Sequence, residues 1–228
     1  MILYVNGDSH SAGAEINNTY CFAEDDPTYI HLHRRPHPDN IIDTYGYRLA
    51  KKLNIGFSCD AESASSNTRI YRTTQEFLNK TKSQKFVLIG WTSWERKEWR
   101  YNGTYYQISG SGMDNLPNEL QSMYREYISQ CDKDHHTSCS QEWHEHIWQL
   151  HQELEQQQIP HLFFNTFDCF HNCEQRDWNN CYLDPYSIEG TYSNWLKSQG
   201  YKPVRFDSNH FGKDGHAAWA KRLFPMLT

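Results

Sequence analysis

Four short apolar runs, separated by stretches of helical period, organise this chain. Ile2-Leu3-Tyr4-Val5-Asn6 is unbroken and reads as a buried strand. Ile55 to Cys59 reads as a second strand, Phe86-Val87-Leu88-Ile89 before Gly90 as a third, and His161 to Asn165 as a fourth. Between them, Ile41, Ile42, Tyr45, Leu49 and Leu53 share one helical face over 40–53. Residues 68–81 suit a helix with Ile70, Phe77 and Leu78 inward. Residues 141–158 suit another, with Trp143, Ile147, Leu150 and Leu154 on one face and Pro160 as its stop. A last helix runs from near Gly212 through Leu223. Strands alternating with helices predict an α/β fold, a three-layer α/β/α sandwich with a mostly parallel central sheet.

Three segments break the alternation. Residues 10–39 are rich in His, Pro, Asp and Asn and read as irregular, with one helical turn after Ser9. Residues 91–140 hold Trp91, Trp94, Trp99, Tyr101, Tyr105 and Tyr106, a helical stretch near 115–130, and a polar loop with Asp132, Asp134, His135 and His136. This segment reads as an aromatic-rich insertion in a single domain spanning 1–228. Residues 166–200 are rich in cysteine and aromatic side chains.

Composition narrows the function classes. Net charge is −6 over 228 residues, which argues against a nucleic-acid binder, since phosphate neutralisation needs a basic surface. Mean hydropathy is −0.88, set by polar Asn, Gln, Ser and His rather than by charge, so a disordered chain is not implied. No run approaches the roughly 20 apolar residues that span a bilayer, and the N-terminus lacks a signal-peptide pattern. No membrane partner is expected, and the expected site is cytoplasmic, with delivery on a virus particle left open. The seven cysteines, an odd number, then read as free thiols. Cys131 and Cys139 flank His135-His136, and Cys169, Cys173 and Cys181 cluster, but the C-x2-C spacing of zinc sites is absent. No metal or cofactor is expected.

Two motifs at opposite ends carry the candidate chemistry. The first strand runs into Gly7-Asp8-Ser9, and Asp207-Ser208-Asn209-His210 stands near the finish. A serine hydroxyl needs a base, and the base needs an orienting carboxylate. Ser9, His210 and Asp207 can supply the three. Either half alone also suits a turn or a helix cap.

These residues resemble the blocks of the SGNH (GDSL-type) hydrolases. Gly7-Asp8-Ser9 is similar to the first block, and Asp207, His210, Gly215 and Ala220 match the last without a gap. The resemblance implies a flavodoxin-like fold and a serine esterase with Ser9 as nucleophile, His210 as base and Asp207 as its partner. In the middle blocks the chain departs from the pattern. Ala64 stands in the small-residue loop where the family carries glycine, and Thr92 aligns by count with the family's asparagine. The resemblance thus implies an oxyanion hole from the Ser9 and Ala64 N–H groups and the Thr92 side chain. Asn67 reads as a helix N-cap first. Asp8, Trp91 and Trp94 are expected to touch substrate, a small-molecule or glycan ester with a short acyl group, plausibly a carbohydrate O-acetyl group. The alternatives are a weakened SGNH-type scaffold that binds a glycan or protein partner, and a metallophosphoesterase, which lacks its Gly-Asp-x-x-Asp and Gly-His-x-His motifs. Acyl transfer and oligomeric state stay open.

Overall fold

The computed structural model describes residues 1–17, 36–110 and 116–228. Cys21 and most of the irregular segment at 10–39 therefore lie outside the described residues, as does part of the aromatic segment. The first strand, β1 (Ile2–Asn6), pairs in parallel with β2 (Gly56–Cys59) on one side and β3 (Lys85–Trp91) on the other. β3 pairs in parallel with a strand at His161–Asn165, which pairs in turn with a two-residue strand at Tyr182–Leu183. Taken with the hairpin strands β4 (Lys97–Tyr101) and β5 (Thr104–Ile108), these last two are β6 and β7. The sheet order is β2-β1-β3-β6-β7. The chain leaves β1 for one side and returns to the other, so the carboxyl ends of β1 and β3 flank a topological switch point, where ligands gather in such folds.

Side chains alternate across the sheet with the two-residue period of a strand. Leu3, Val5, Leu88, Leu162 and Phe164 face a layer that includes α3 (Tyr45–Leu53), α7 (Tyr192–Ser198) and α8 (Lys213–Leu223). Tyr4, Val87, Ile89 and Phe163 face α4 (Asn67–Lys80) and α6 (Lys133–Gln156). Both faces are covered, which is why the strands read as continuous apolar runs.

The helix expected over 40–53 is two pieces, α2 (Pro38–Ile41) and α3, because Thr44 caps the second by accepting from the Tyr47 N–H. The polar loop expected at 132–140 is the first part of α6. Asp132 caps it, accepting from the His135 N–H at 2.9 Å, and a 24-residue helix follows. The segment at 91–140 holds the β4–β5 hairpin, turned by Asn102-Gly103 with φ of 46° and 81°, and α5 (Asn118–Gln130). Trp99, Tyr101, Tyr106 and Tyr127 pack there around Ile108, Leu120 and Tyr124 as a satellite core. Among the described residues, no helix is long and apolar enough to cross a membrane.

One buried histidine ties the layer of α3, α7 and α8 together. His216 Nδ1 accepts from the Tyr45 N–H at 3.3 Å, which leaves Nε2–H to donate to the Tyr192 hydroxyl at 3.3 Å. Burial pushes this imidazole down to about 3, against about 6.5 in an unfolded chain. Between those values the unfolded state binds a proton that the folded state refuses, so stability is lost as pH falls through that window. Urea midpoints measured between pH 7 and 4 are expected to fall steadily, and His216→Gln is expected to flatten the slope.

Candidate active site

The serine is placed by sterics before chemistry enters. Gly7 follows β1 with φ of 154°, and a Cβ there would stand 2.1 Å from Ser11 Oγ and 2.9 Å from the Gly90 carbonyl. Only glycine lets the chain turn this close to the end of β3. Asn6 anchors the turn from the other side: its side-chain oxygen accepts from the Gly7 N–H at 2.8 Å, and its NH2 reaches Thr73 Oγ1 at 2.8 Å on α4. Asp8 then caps a one-turn helix, α1 (Ser9–Ala12), accepting from the His10 N–H. Ser9 is its first residue and is 6% exposed.

His210 Nε2 lies 2.8 Å from Ser9 Oγ, and its Nδ1 lies 2.6 Å from Glu15 Oε2. Nδ1–H donates to the carboxylate, so Nε2 presents a lone pair to the serine hydroxyl. The carboxylate facing His210 is therefore that of Glu15, which corrects the expected Asp207. Residues 204–210 form a loop closed at its base, where the Val204 N–H donates to the His210 carbonyl at 2.8 Å and Pro203 bridges Phe211. Asp207 stands at the tip of this loop, its side chain 69% exposed and 3.7 Å from Arg205. Three residues of spacing put Asp207 and His210 on one turn, but the loop directs the aspartate outward.

Glu15 is buried in a turn that needs left-handed backbone twice, at Gly13 (φ 77°) and at Glu15 itself (φ 63°). For a long side chain that conformation costs about 1 kcal/mol. The turn swings the carboxylate onto two donors, His210 and Ser208 Oγ at 2.5 Å, and into an ion pair with Arg205 at 2.5 Å. Burial opposes its charge, but the hydrogen bonds from His210 and Ser208 and the charges of His210 and Arg205 outweigh this and hold the carboxyl below its ordinary value. Burial also pushes His210 below the usual imidazole value, against the upward pull of Glu15. A neutral, correctly oriented base at pH 7 is the result.

The middle-block residues are positioned differently from expectation. Thr92 Oγ1 donates to Asp8 Oδ2 at 2.7 Å, so its proton is engaged rather than offered to an oxyanion. Asp8 is fully buried and faces Thr92, His10 and Arg96. Burial opposes its ionisation, yet His10, Arg96 and Thr92 together hold its carboxyl well below the usual range. Asp8 thus braces the site from beneath instead of touching substrate. Ala64 has φ of 62°, the region glycine favours, so the alanine is held in a glycine-like backbone. Asn67 is not the N-cap of α4; Ser66 is, accepting from the Arg69 N–H. Asn67 instead clamps the Thr92 backbone, accepting from its N–H at 2.9 Å and donating to its carbonyl at 3.2 Å.

Trp91 and Trp94 are 0% and 1% exposed, which corrects their expected contact with substrate. Trp91 packs against Trp143 and Phe163, and Trp94 stacks on Phe170 with ring centres 4.8 Å apart. Around His10, the residue next to Ser9, the structure gathers Phe167 and Arg96, to which the motifs do not point. His10 lies edge-on to Phe167 at 4.8 Å and 4.9 Å from the His210 ring, and Arg96 sits over Phe167 at 5.7 Å. Gly215 and Ala220 are packing positions: a Cβ on Gly215 would meet Phe211 Cβ at 2.8 Å, and Ala220 lies in the core.

No protein-family model matches this chain, and no curated protein does. Among solved structures, the chain is similar to one described as a lipolytic protein of the G-D-S-L family from Desulfitobacterium hafniense DCB-2. That likeness has 11% identity, a TM-score of 0.40 and 99% of each chain covered. It is also similar to a carbohydrate esterase whose active site is described as displaying divergent catalytic and non-catalytic binding functions. There the identity is 14% and the TM-score 0.43, with 99% of this chain and 67% of the other covered.

Because Glu15 raises the proton affinity of His210, Glu15→Gln is expected to move the His210 titration further down, while Asp207→Asn leaves it in place. Imidazole chemical shifts followed by NMR against pH check both.

Proposed function

We propose that this chain is a serine-dependent ester hydrolase of the SGNH type, with Ser9 as nucleophile, His210 as base and Glu15 as the orienting acid. The observation that carries the reading is the continuous chain of hydrogen bonds from Ser9 Oγ through His210 to Glu15. In this reading Ser9 Oγ attacks the ester carbonyl while His210 Nε2 takes its proton. Glu15 stabilises the imidazolium without itself accepting the proton. His210 then passes the proton to the leaving alcohol, and a water deprotonated by His210 attacks the acyl-enzyme and releases the acid.

The oxyanion would be held by the backbone N–H groups of Ser9 and Ala64, without the Thr92 hydroxyl. Loss of one such donor costs about 10²–10³ in rate in other enzymes, so a slow esterase is expected. A nucleophile that is only 6% exposed favours a short acyl group. An acetyl group on a carbohydrate fits that size, although Trp91 and Trp94 lie in the core and offer no ring for a sugar to stack on. The second reading, a weakened scaffold that binds its ligand without turnover, is favoured by one observation: the engagement of Thr92 with Asp8.

A fluorophosphonate probe separates the two. Labelling of the wild type that disappears in Ser9→Ala supports the hydrolase, and an unlabelled wild type that does not turn over p-nitrophenyl acetate supports the binding scaffold. On p-nitrophenyl esters of increasing length, kcat/KM is expected to fall beyond the shortest acyl groups. Glu15→Gln is expected to lower kcat by about 10³- to 10⁴-fold, and Asp207→Asn by no more than about threefold. The acid limb of kcat/KM is expected below the ordinary imidazole value of about 6.5, since the base works only when neutral and burial lowers its affinity for the proton.

A further inference from the structure

At the amino-terminal ends of the parallel strands, the opposite end from Ser9, four ligand-type side chains converge. His151 and Glu155 lie one turn apart on α6, His161 is the first residue of β6, and Cys181 immediately precedes β7. One ligand atom from each lies within 4.8 Å of the others. His151 Nδ1 faces His161 Nε2 at 2.8 Å, and Cys181 Sγ is 3.9 Å from Glu155 Oε1. We propose that these four residues hold a structural zinc ion that clips the 166–181 loop to α6 and β6.

The orientation of the ligands supports this. His161 Nδ1–H donates to the Ile159 carbonyl at 2.9 Å, which fixes the tautomer and leaves the Nε2 lone pair aimed at the cluster. A backbone carbonyl on the far nitrogen is the usual outer support of a metal-bound histidine. The rings are also held: His151 lies 5.0 Å from Trp148 and edge-on to Trp178 at 5.4 Å, and His161 lies 5.0 Å from Phe163. Both histidines are buried, so their rings are held in place beside the cluster.

The donor set of two imidazoles, one thiolate and one carboxylate suits zinc, and four protein ligands make a closed tetrahedral site. Zinc–ligand lengths of about 2.0–2.3 Å give ligand separations of about 3.3–3.7 Å. The histidine pair must part slightly, and Cys181 and the exposed Glu155 draw in, by shifts of about 1 Å. Binding releases the Cys181 thiol proton to solvent, while the His151 proton moves from Nδ1 to Nε2.

Chelator-treated full-length protein titrated with Co²⁺ tests the proposal. One equivalent is expected to produce a thiolate-to-cobalt charge-transfer band with tetrahedral visible bands, and Zn²⁺ is expected to abolish both. Cys181→Ser should lose the charge-transfer band, and Glu155→Gln, on an exposed side chain, should bind at least about tenfold more weakly, the minimum cost of losing even an outer partner. Zn²⁺ at a hundredfold excess over Kd should raise the wild-type Tm by about 5 °C or more, and that of Cys181→Ser by far less. A wild type without the band, or a band of equal strength in Cys181→Ser, overturns the proposal; the latter would place the metal at the Cys139–His135 or Cys169–His171 pairs instead. Ser9 labelling by fluorophosphonate should survive zinc removal, so this test and that of the hydrolase reading fail separately.

Discussion

A buried carboxylate held by two hydrogen bonds and one ion pair ties the site together. Glu15 lies 195 residues from the histidine it orients, and it draws His210, Ser208 and Arg205 onto the turn after α1. A buried charge left unpaired is costly, so each partner is needed as well as favourable. That requirement fixes the 204–210 loop against the first strand's end, and with it the position of His210 over Ser9. Asp8 repeats the device one layer down: a buried carboxylate shared among His10, Thr92 and Arg96 ties the end of β1 to the loop after β3. The two carboxylates divide the work. One orients the His210 imidazole toward Ser9, and the other engages the Thr92 hydroxyl.

Much of the architecture was legible in the sequence because the sheet is buried on both faces. Continuous apolar runs at 2–6, 86–89 and 161–165 leave little ambiguity, although β3 runs on through Gly90, expected as its stop, to Trp91. The elements missed are those set by local hydrogen bonding rather than hydrophobic period. Thr44 splits a helix whose apolar face runs on across the break, and Asp132 starts one inside a stretch too polar to read as helical. Asn102-Gly103 carries a hairpin signal, overshadowed by the aromatic residues around it. β7 has two residues and no pattern to read.

The site was legible at its two ends and misleading between them. Gly7-Asp8-Ser9 is carried to the site by the end of β1, and His210 by the 204–210 loop that Glu15 holds against it. Glu15 escaped because its position depends on two left-handed residues, Gly13 and Glu15 itself, which no apolar pattern records; an acidic residue just past Gly13, in a run of small side chains, is the only hint. Asp207 misled because spacing along a chain says nothing about which way a loop turns its tip. Trp91 and Trp94 misled because they follow the strand end closely, yet the alternation of β3 and the stack on Phe170 send both into the core.

The separation of Ser9 and His210 along the chain also has a meaning in time. The two stand 201 residues apart, and at the usual pace of synthesis about 10–40 s pass between the appearance of one and the other. Throughout that interval the emerging polypeptide carries Ser9 and Glu15 without the His210 imidazole that joins them. In the proposed hydrolase, activation of Ser9 therefore waits until the 204–210 loop has been made and folded onto Glu15, and a message truncated before residue 210 would leave that hydroxyl without its hydrogen-bond partner.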